Sequence, residues 1–237
     1  MVGLSVSSRT NYPTTQLPMQ ITTLDPTHAA DAARLHIAGQ PNTFLTTLGP
    51  DVLTTFYRAL PQSPTAFGFT AIEDTVAAQS KIQNPKSKML VGFISATTST
   101  GQLFLQLGTR HLPAFLPPLL RRFAQRPGLL LHCMQTVFYP FLHGANADKA
   151  SRDAFSVPTA ELLSVMVEPD WRSQGIGAHL LDALVAECRQ RTIGALDVTV
   201  AADNDGAQRF YARHGFVRQQ RFTLYGRPMY SFRRLIG

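Results

Sequence analysis

The chain has 237 residues, 44% of them apolar and 16% charged, with 16 Gly and 16 Pro. That balance fits one large globular domain, or one domain with an insertion, and excludes a disordered or collagen-like chain. The net charge of +7 is local, because seven Arg and no acid stand between Gly206 and Gly237, which leaves 15 basic and 15 acidic groups in residues 1–205.

Residues 1–17 are rich in Ser, Thr, Asn and Pro with little apolar pattern and read as a flexible tail, so a single domain is expected over residues 18–237. Met19 to Leu24 predicts a short strand, and Asp25-Pro26-Thr27 then offers a helix start before Ala29 to Ile37. After Pro50-Asp51, Val52, Leu53, Phe56, Tyr57 and Leu60 recur at helical spacing up to Pro61. Ala66 to Ile72 and Met89 to Ala96 read as a strand hairpin with a long polar loop from Glu73 to Lys88.

Between about 101 and 158 the pattern turns irregular. Pro113, Pro117, Pro118, Pro127 and Pro140 divide apolar pieces such as Leu103 to Leu107 and Leu129 to Leu142, which suggests an insertion with some helix. Gly144 to Ser156 reads as an exposed loop. Regular structure resumes with a strand from Leu162 to Val167 and a helix from Ile176 to Arg189, whose stripe is Ile176, Leu180, Leu181, Leu184, Val185 and Cys188. Leu196, Val198 and Val200 then mark a half-buried strand, Ala207 to His214 a short helix stopped by Gly215, and Phe216 to Leu224 and Met229 to Arg233 two strands around Gly226.

Two cysteines, Cys133 and Cys188, are too few for a disulfide framework and have no metal-ligand spacing, so a reducing, cytoplasmic setting and no metal are expected. The N-terminus has no signal-peptide pattern, and the longest apolar-rich stretch falls short of the ~20 residues that span a bilayer. A basic C-terminal segment points to a polyanion such as nucleic acid, a membrane surface or a phosphorylated cofactor. It equally fits a solvated surface written in Arg, since only four of the 22 cations are Lys.

The sharpest signal is Arg172-Ser173-Gln174-Gly175-Ile176-Gly177-Ala178, which follows a strand and opens the Ile176 helix. Glycines there let backbone N–H groups approach an anion at a helix start. A dinucleotide-binding loop competes, and Asp197 lies 20 residues past Gly177, where a ribose-binding acid would stand. Leu180 replaces the third glycine of that pattern, and the strand ends at about Val167, well before Gly175, which argues against it. A second motif follows about 30 residues on: Asn204-Asp205-Gly206-Ala207-Gln208-Arg209-Phe210-Tyr211-Ala212-Arg213-His214-Gly215-Phe216.

RxxGxGA followed by NxxAxxFYxxxGF resembles the GCN5-related N-acetyltransferase (GNAT) superfamily, clearly over Glu161 to Phe232 and in element order alone over residues 19–96. The resemblance implies an α/β fold with a mixed, mostly antiparallel central sheet flanked by helices, splayed between the Glu161 and Leu196 strands to admit acyl-CoA. It implies acetyl transfer from acetyl-CoA to a primary amine in a ternary complex, without a metal or a covalent enzyme intermediate. Residues 172–178 would hold the CoA pyrophosphate. Met166 and Val167 would pair with pantetheine and supply an amide to the thioester oxygen, and Asn204 and Ala207 would line the pantetheine arm. Tyr211 matches the family's general acid, with core packing as the competing reading. Glu161 stands where the histone-acetylating branch has its base, though a glutamate at a strand start is commonly just solvated. His179, His214, Trp171, Phe210 and Cys188 read as structural, and Arg121, Arg122 and Arg126 as a phosphate group or a solvated helix face. The acceptor is expected to be a small amine met by the helix pair around 35–60, the insertion and the hairpin near Tyr225 to Tyr230. No nucleic acid or membrane partner is needed, because CoA phosphates account for Arg209 and Arg213, and the assembly state is left open, a homodimer included. The alternative is a non-catalytic CoA-binding module, or one that acetylates protein lysines, with a basic C-terminal surface.

Overall fold

The structure is a computed structural model that describes residues 19–41, 43–73, 89–128, 157–224 and 226–237. The 1–17 tail, nearly all of the Glu73 to Lys88 loop, Leu129 to Leu142 with Cys133, the Gly144 to Ser156 loop and Tyr225 lie outside the described residues.

Strand β1 (Met19–Thr23) leads to Asp25, whose carboxylate accepts the Thr27 N–H at 2.9 Å and caps the 3-10 turn ahead of α1 (Ala29–Gly39). The four-residue α2 (Phe44–Thr47) and α3 (Pro50–Ala59) follow; Gly49 between them takes φ 94°, a left-handed turn that favours glycine. The hairpin pairs β2 (Ala66–Glu73) with β3 (Leu90–Thr97) antiparallel. The insertion region supplies α4 (Thr100–Arg110) and α5 (Leu112–Gln125). Then come β4 (Thr159–Val167), α6 (Ile176–Gln190), β5 (Ala195–Ala201), α7 (Asp205–Arg213), β6 (Val217–Leu224) and β7 (Arg227–Leu235).

Two expectations shift. Pro117 and Pro118 do not divide helical pieces, since α5 runs through both. Each lacks an N–H to donate, but their part of the helix is largely turned to solvent, where water can take the freed carbonyls, while Phe115 anchors the other side in the core. The strand that carries Glu161 opens two residues earlier than that residue, at Thr159.

The seven strands form one sheet in the order β1-β2-β3-β4-β5-β7-β6, antiparallel except for the β4–β5 pair. The α6 stripe of Ile176, Leu180, Leu181, Leu184 and Cys188 packs on one face with Ala160, Leu162, Val198 and Phe232. On the other face α1, α3 and α4 bring Leu35, Leu53, Tyr57 and Leu103 against Phe93 and Met166. Period-2 strands with a second apolar face on β2 and β3 explain why that part of the sheet is buried on both sides. No helix among the described residues is long and apolar enough to cross a membrane.

Candidate active site

The parallel pairing of β4 and β5 is short. It runs from Thr159↔Ala195 to Leu162↔Val198 and stops, although β5 continues along β7 to Ala201 and β4 continues along β3 to Val167. From Leu163 to Val167 the β4 backbone therefore has no strand on its β5 side among the described residues. The break coincides with an irregularity on the opposite edge: β3 pairs Ser95 with Ser164 but Ala96 with Leu162, so Leu163 is the extra residue of a β-bulge. The bulge switches the alternation. Ala160 and Leu162 face the α6 side before it, and Val165 and Val167 face that side after it.

The open edge ends at the glycine loop. Arg172 donates from Nε to the Val167 carbonyl at 3.1 Å, and Gln174 donates to the Asp170 carbonyl at 3.1 Å, so both side chains shape the loop from within. Ser173 and Gly175 both take positive φ, 62° and 83°, and Gly175 is the N-cap of α6 with no side chain capping the helix. The first bond into the helix is His179 N–H to the Gly175 carbonyl at 3.0 Å, so the amides of Ile176, Gly177 and Ala178 precede the ladder and lack intrahelical acceptors. At Gly177 a Cβ would stand 3.3 Å from the Phe210 ring and 3.9 Å from Val167. Phe210 thus wedges between the loop and the end of β4, a site contact that its place on an apolar helix face did not disclose.

On α7, Asn204 accepts the Ala207 N–H at 3.0 Å and caps the helix. Tyr211 is only 4% exposed and packs edge-on to Phe210 and Phe216, with ring centroids 5.3 and 5.2 Å away. Its hydroxyl has no hydrogen-bond partner among the described residues, and burial lifts its pKa well above the ordinary phenol range.

Glu161 lies on the sheet face opposite α6, beside Asp197 in the parallel register. Thr100, the first residue of α4, donates its hydroxyl to Glu161 Oε2 at 2.5 Å. Burial pushes the Glu161 pKa up, the Thr100 bond pulls it down, and the Asp197 carboxylate adds a smaller upward push. Asp197 is held by Arg233 through two bonds of 2.7 Å. That pairing, with a sheet that is mostly antiparallel, removes the ribose-binding reading of Asp197.

Cys188, His214 and Arg122 are engaged within the fold. Cys188 is fully buried on the α6 stripe, its thiol pushed up to about 11, chiefly by burial. The His214 Nδ1 stands 2.7 Å from the Phe210 carbonyl. Arg122 donates to the Thr47 carbonyl at 2.9 Å and ties α5 to the turn before α3, which displaces its phosphate reading. No group of three or more His, Cys, Asp or Glu suited to a metal occurs among the described residues.

Residues 138–216 match the profile of the Acetyltransferase (GNAT) family. An N-acetyltransferase of Methanocaldococcus jannaschii, described as uncharacterized, is 33% identical over 61 residues; the matched stretch covers 26% of this chain and 27% of that protein. Among solved structures, the chain is similar to Arabidopsis thaliana NAA60 in complex with acetyl-CoA, with TM-score 0.56, 14% identity, and 92% and 98% of the two chains covered. It is also similar to an acetyltransferase of the GNAT family from Staphylococcus aureus, with TM-score 0.53, 14% identity, and 92% and 99% covered. At these identities the structural likeness speaks for the fold.

Proposed function

We propose that the chain is a GNAT-superfamily, acetyl-CoA-dependent N-acetyltransferase acting on a small primary amine, a reading supported by the match of residues 138–216 to the family profile and by the shared fold. The observation that carries the reading is the interrupted β4–β5 pairing, which leaves the β4 edge from Leu163 to Val167 open and leads it directly to the uncapped start of α6. An extended amide-bearing arm can pair with such an edge as a missing strand would, and the amides of Ile176, Gly177 and Ala178 suit a pyrophosphate. The residues therefore fit the cosubstrate.

Acetyl-CoA, when bound, supplies an activated thioester. The chain's own part is to position it and to move two protons. One backbone N–H at the Met166–Val167 end of β4 would favour negative charge developing on the thioester oxygen. Glu161 takes a proton from the ammonium form of the acceptor, since only the neutral amine attacks. Tyr211 returns a proton to the departing thiolate, and its raised pKa keeps the phenol protonated at neutral pH. A small acceptor is favoured because the insertion's first helix begins against Glu161, and an added segment on the acceptor side covers a small amine more readily than a polypeptide.

The test follows thiol release from acetyl-CoA with a panel of aminosugars, polyamines, amino-acid derivatives and lysine peptides. Turnover with one or more small amines is the expected result. Acetyl-CoA binding without turnover on any amine would overturn the transferase reading in favour of a CoA-binding module, and turnover on peptides alone would overturn the small-acceptor part.

A further inference from the structure

The insertion between β3 and β4 begins on the site, and how it begins is fixed by several bonds. Thr97, the last residue of β3, pairs across the sheet with Glu161. Its hydroxyl donates to the Thr65 carbonyl at 3.0 Å, and Thr98 N–H reaches the same carbonyl at 2.8 Å. Ser99 N–H then donates to the Thr97 hydroxyl at 3.2 Å, and the Ser99 hydroxyl accepts the Gln102 N–H at 3.3 Å as the cap of α4. One turn on, Leu103 is fully buried against the α3 cluster. The chain thus leaves Glu161 at Thr97 and returns over it three residues later at Thr100 with little freedom to do otherwise.

The contact is one-sided. Thr100 bonds Oε2 of Glu161, and no bond to Oε1 occurs among the described residues. Among the described residues the other groups about the carboxylate are few: β3 brings Thr97 and α4 brings Thr100, neither of which titrates, β5 brings Asp197, and β7 brings Arg233, which is engaged by Asp197. A donated hydroxyl proton favours the ionised carboxylate, while burial and the Asp197 charge oppose it.

We infer that Thr100 is a positioning residue for Glu161: its hydroxyl fixes the carboxylate rotamer, presents Oε1 to the acceptor and favours the ionised form, so the start of the insertion is part of the proton-accepting apparatus. This rests on the reading of Glu161 as the base. Removing the hydroxyl without changing side-chain shape should hinder the base where protons compete and leave the high-pH rate nearly intact. Restoring a hydroxyl on a smaller side chain should restore the behaviour.

The experiment compares wild type with Thr100→Val, Thr100→Ser and Glu161→Gln. The side-chain carboxyl 13C resonance of Glu161, assigned by its loss in Glu161→Gln, is titrated in the full chain without any acceptor. Rates are then measured across pH with an amine that turns over. The expected result is a titration midpoint displaced to higher pH in Thr100→Val and unmoved in Thr100→Ser. The acid-side rate of Thr100→Val should fall by about tenfold, the size expected for one bond to a charged group, while acetyl-CoA affinity stays unchanged. An unmoved midpoint in Thr100→Val, or a rate loss equal at every pH, would overturn the role of Thr100 alone. A Glu161→Gln variant with wild-type rates at all pH values would overturn the base reading itself, whatever the titration shows.

Discussion

The Nδ1 of His36 and the hydroxyl of Tyr57 stand 2.6 Å apart in the core beneath β4, and Tyr57 donates its proton to Ser164 at 3.2 Å. With Tyr57 giving its one proton to Ser164, the His36 tautomer that completes the chain donates from Nδ1 to the phenol oxygen and leaves Nε2 as the bare acceptor. That Nε2 is buried with no partner among the described residues. The chain of three side chains joins α1, α3 and β4 at the residue just after the bulge.

His36 is 1% exposed, and burial depresses its pKa from 6.5 to about 4. The unfolded chain therefore binds a proton that the folded chain refuses throughout the interval between those values. Stability from this group is complete above about pH 6.5 and is lost progressively as the pH falls towards 4, by about 2 kcal/mol between pH 7 and pH 5. Urea unfolding at the two pH values measures the loss. A His36→Gln variant should show a smaller drop; the same drop in both proteins would assign it to other groups.

Tyr57→Phe removes the middle of the same chain and leaves both the His36 and Ser164 hydrogen-bonding groups buried without it. A stability loss of about 2 kcal/mol is expected, read as a lower urea midpoint at pH 7. The ring contacts with Phe56 and Phe93, at centroid distances of 5.1 and 5.0 Å, are retained in the variant, so a loss much above that would point to repacking instead.

Tyr211→Phe keeps the aromatic packing with Phe210, Phe216 and Phe232 and removes only the proton donor. The expected outcome is a kcat lower by about a hundredfold with acetyl-CoA affinity within about twofold of wild type. Steady-state kinetics and calorimetry read the two quantities separately, and an undiminished kcat would leave Tyr211 as core packing.

Gly175→Ala places a Cβ on a residue at φ 83°, a strain of roughly 1–2 kcal/mol. The space around that position is open to ordinary contact, with His179 the nearest group at 3.8 Å, so the backbone conformation is what suffers. The loop relieves the strain by turning its amides away from their present direction. Acetyl-CoA Kd should rise by about tenfold while the melting temperature changes little, because the loop is exposed.

Much of this arrangement was legible in local pattern. The α6 stripe, the β2–β3 alternation and the two motifs rest on periods of 3.6 and 2 or on residues close together in the chain, and Ile176 to Cys188 sit where that spacing puts them. What stayed hidden depends on register and on long-range contact. The bulge at Leu163 exists only relative to the β3 partners Ser95 and Ala96. Thr100 reads as an unremarked polar residue at a helix start, and its partner Glu161 is 61 positions away. Pro117 and Pro118 mislead for the opposite reason, since a local rule yields to the packing of Phe115. The charge excess lies at the C-terminal end, but Arg227 and Arg233 are paired with Asp203 and Asp197 from outside that segment, a contact that sequence distance conceals.

The strand order also gives the remaining arginines of that end a use apart from any phosphate. β6 is the outermost strand, pairs with β7 alone among the described residues, and is exposed from Val217 to Arg221. A free rim of this kind can recruit the rim of another molecule and grow. Arg218, stacked on the Tyr230 ring with its guanidinium carbon 4.7 Å from the ring centroid, and Arg221 place positive charge along that rim. Two such rims brought together in antiparallel order would set like charges against each other, which disfavours that particular edge-to-edge pairing.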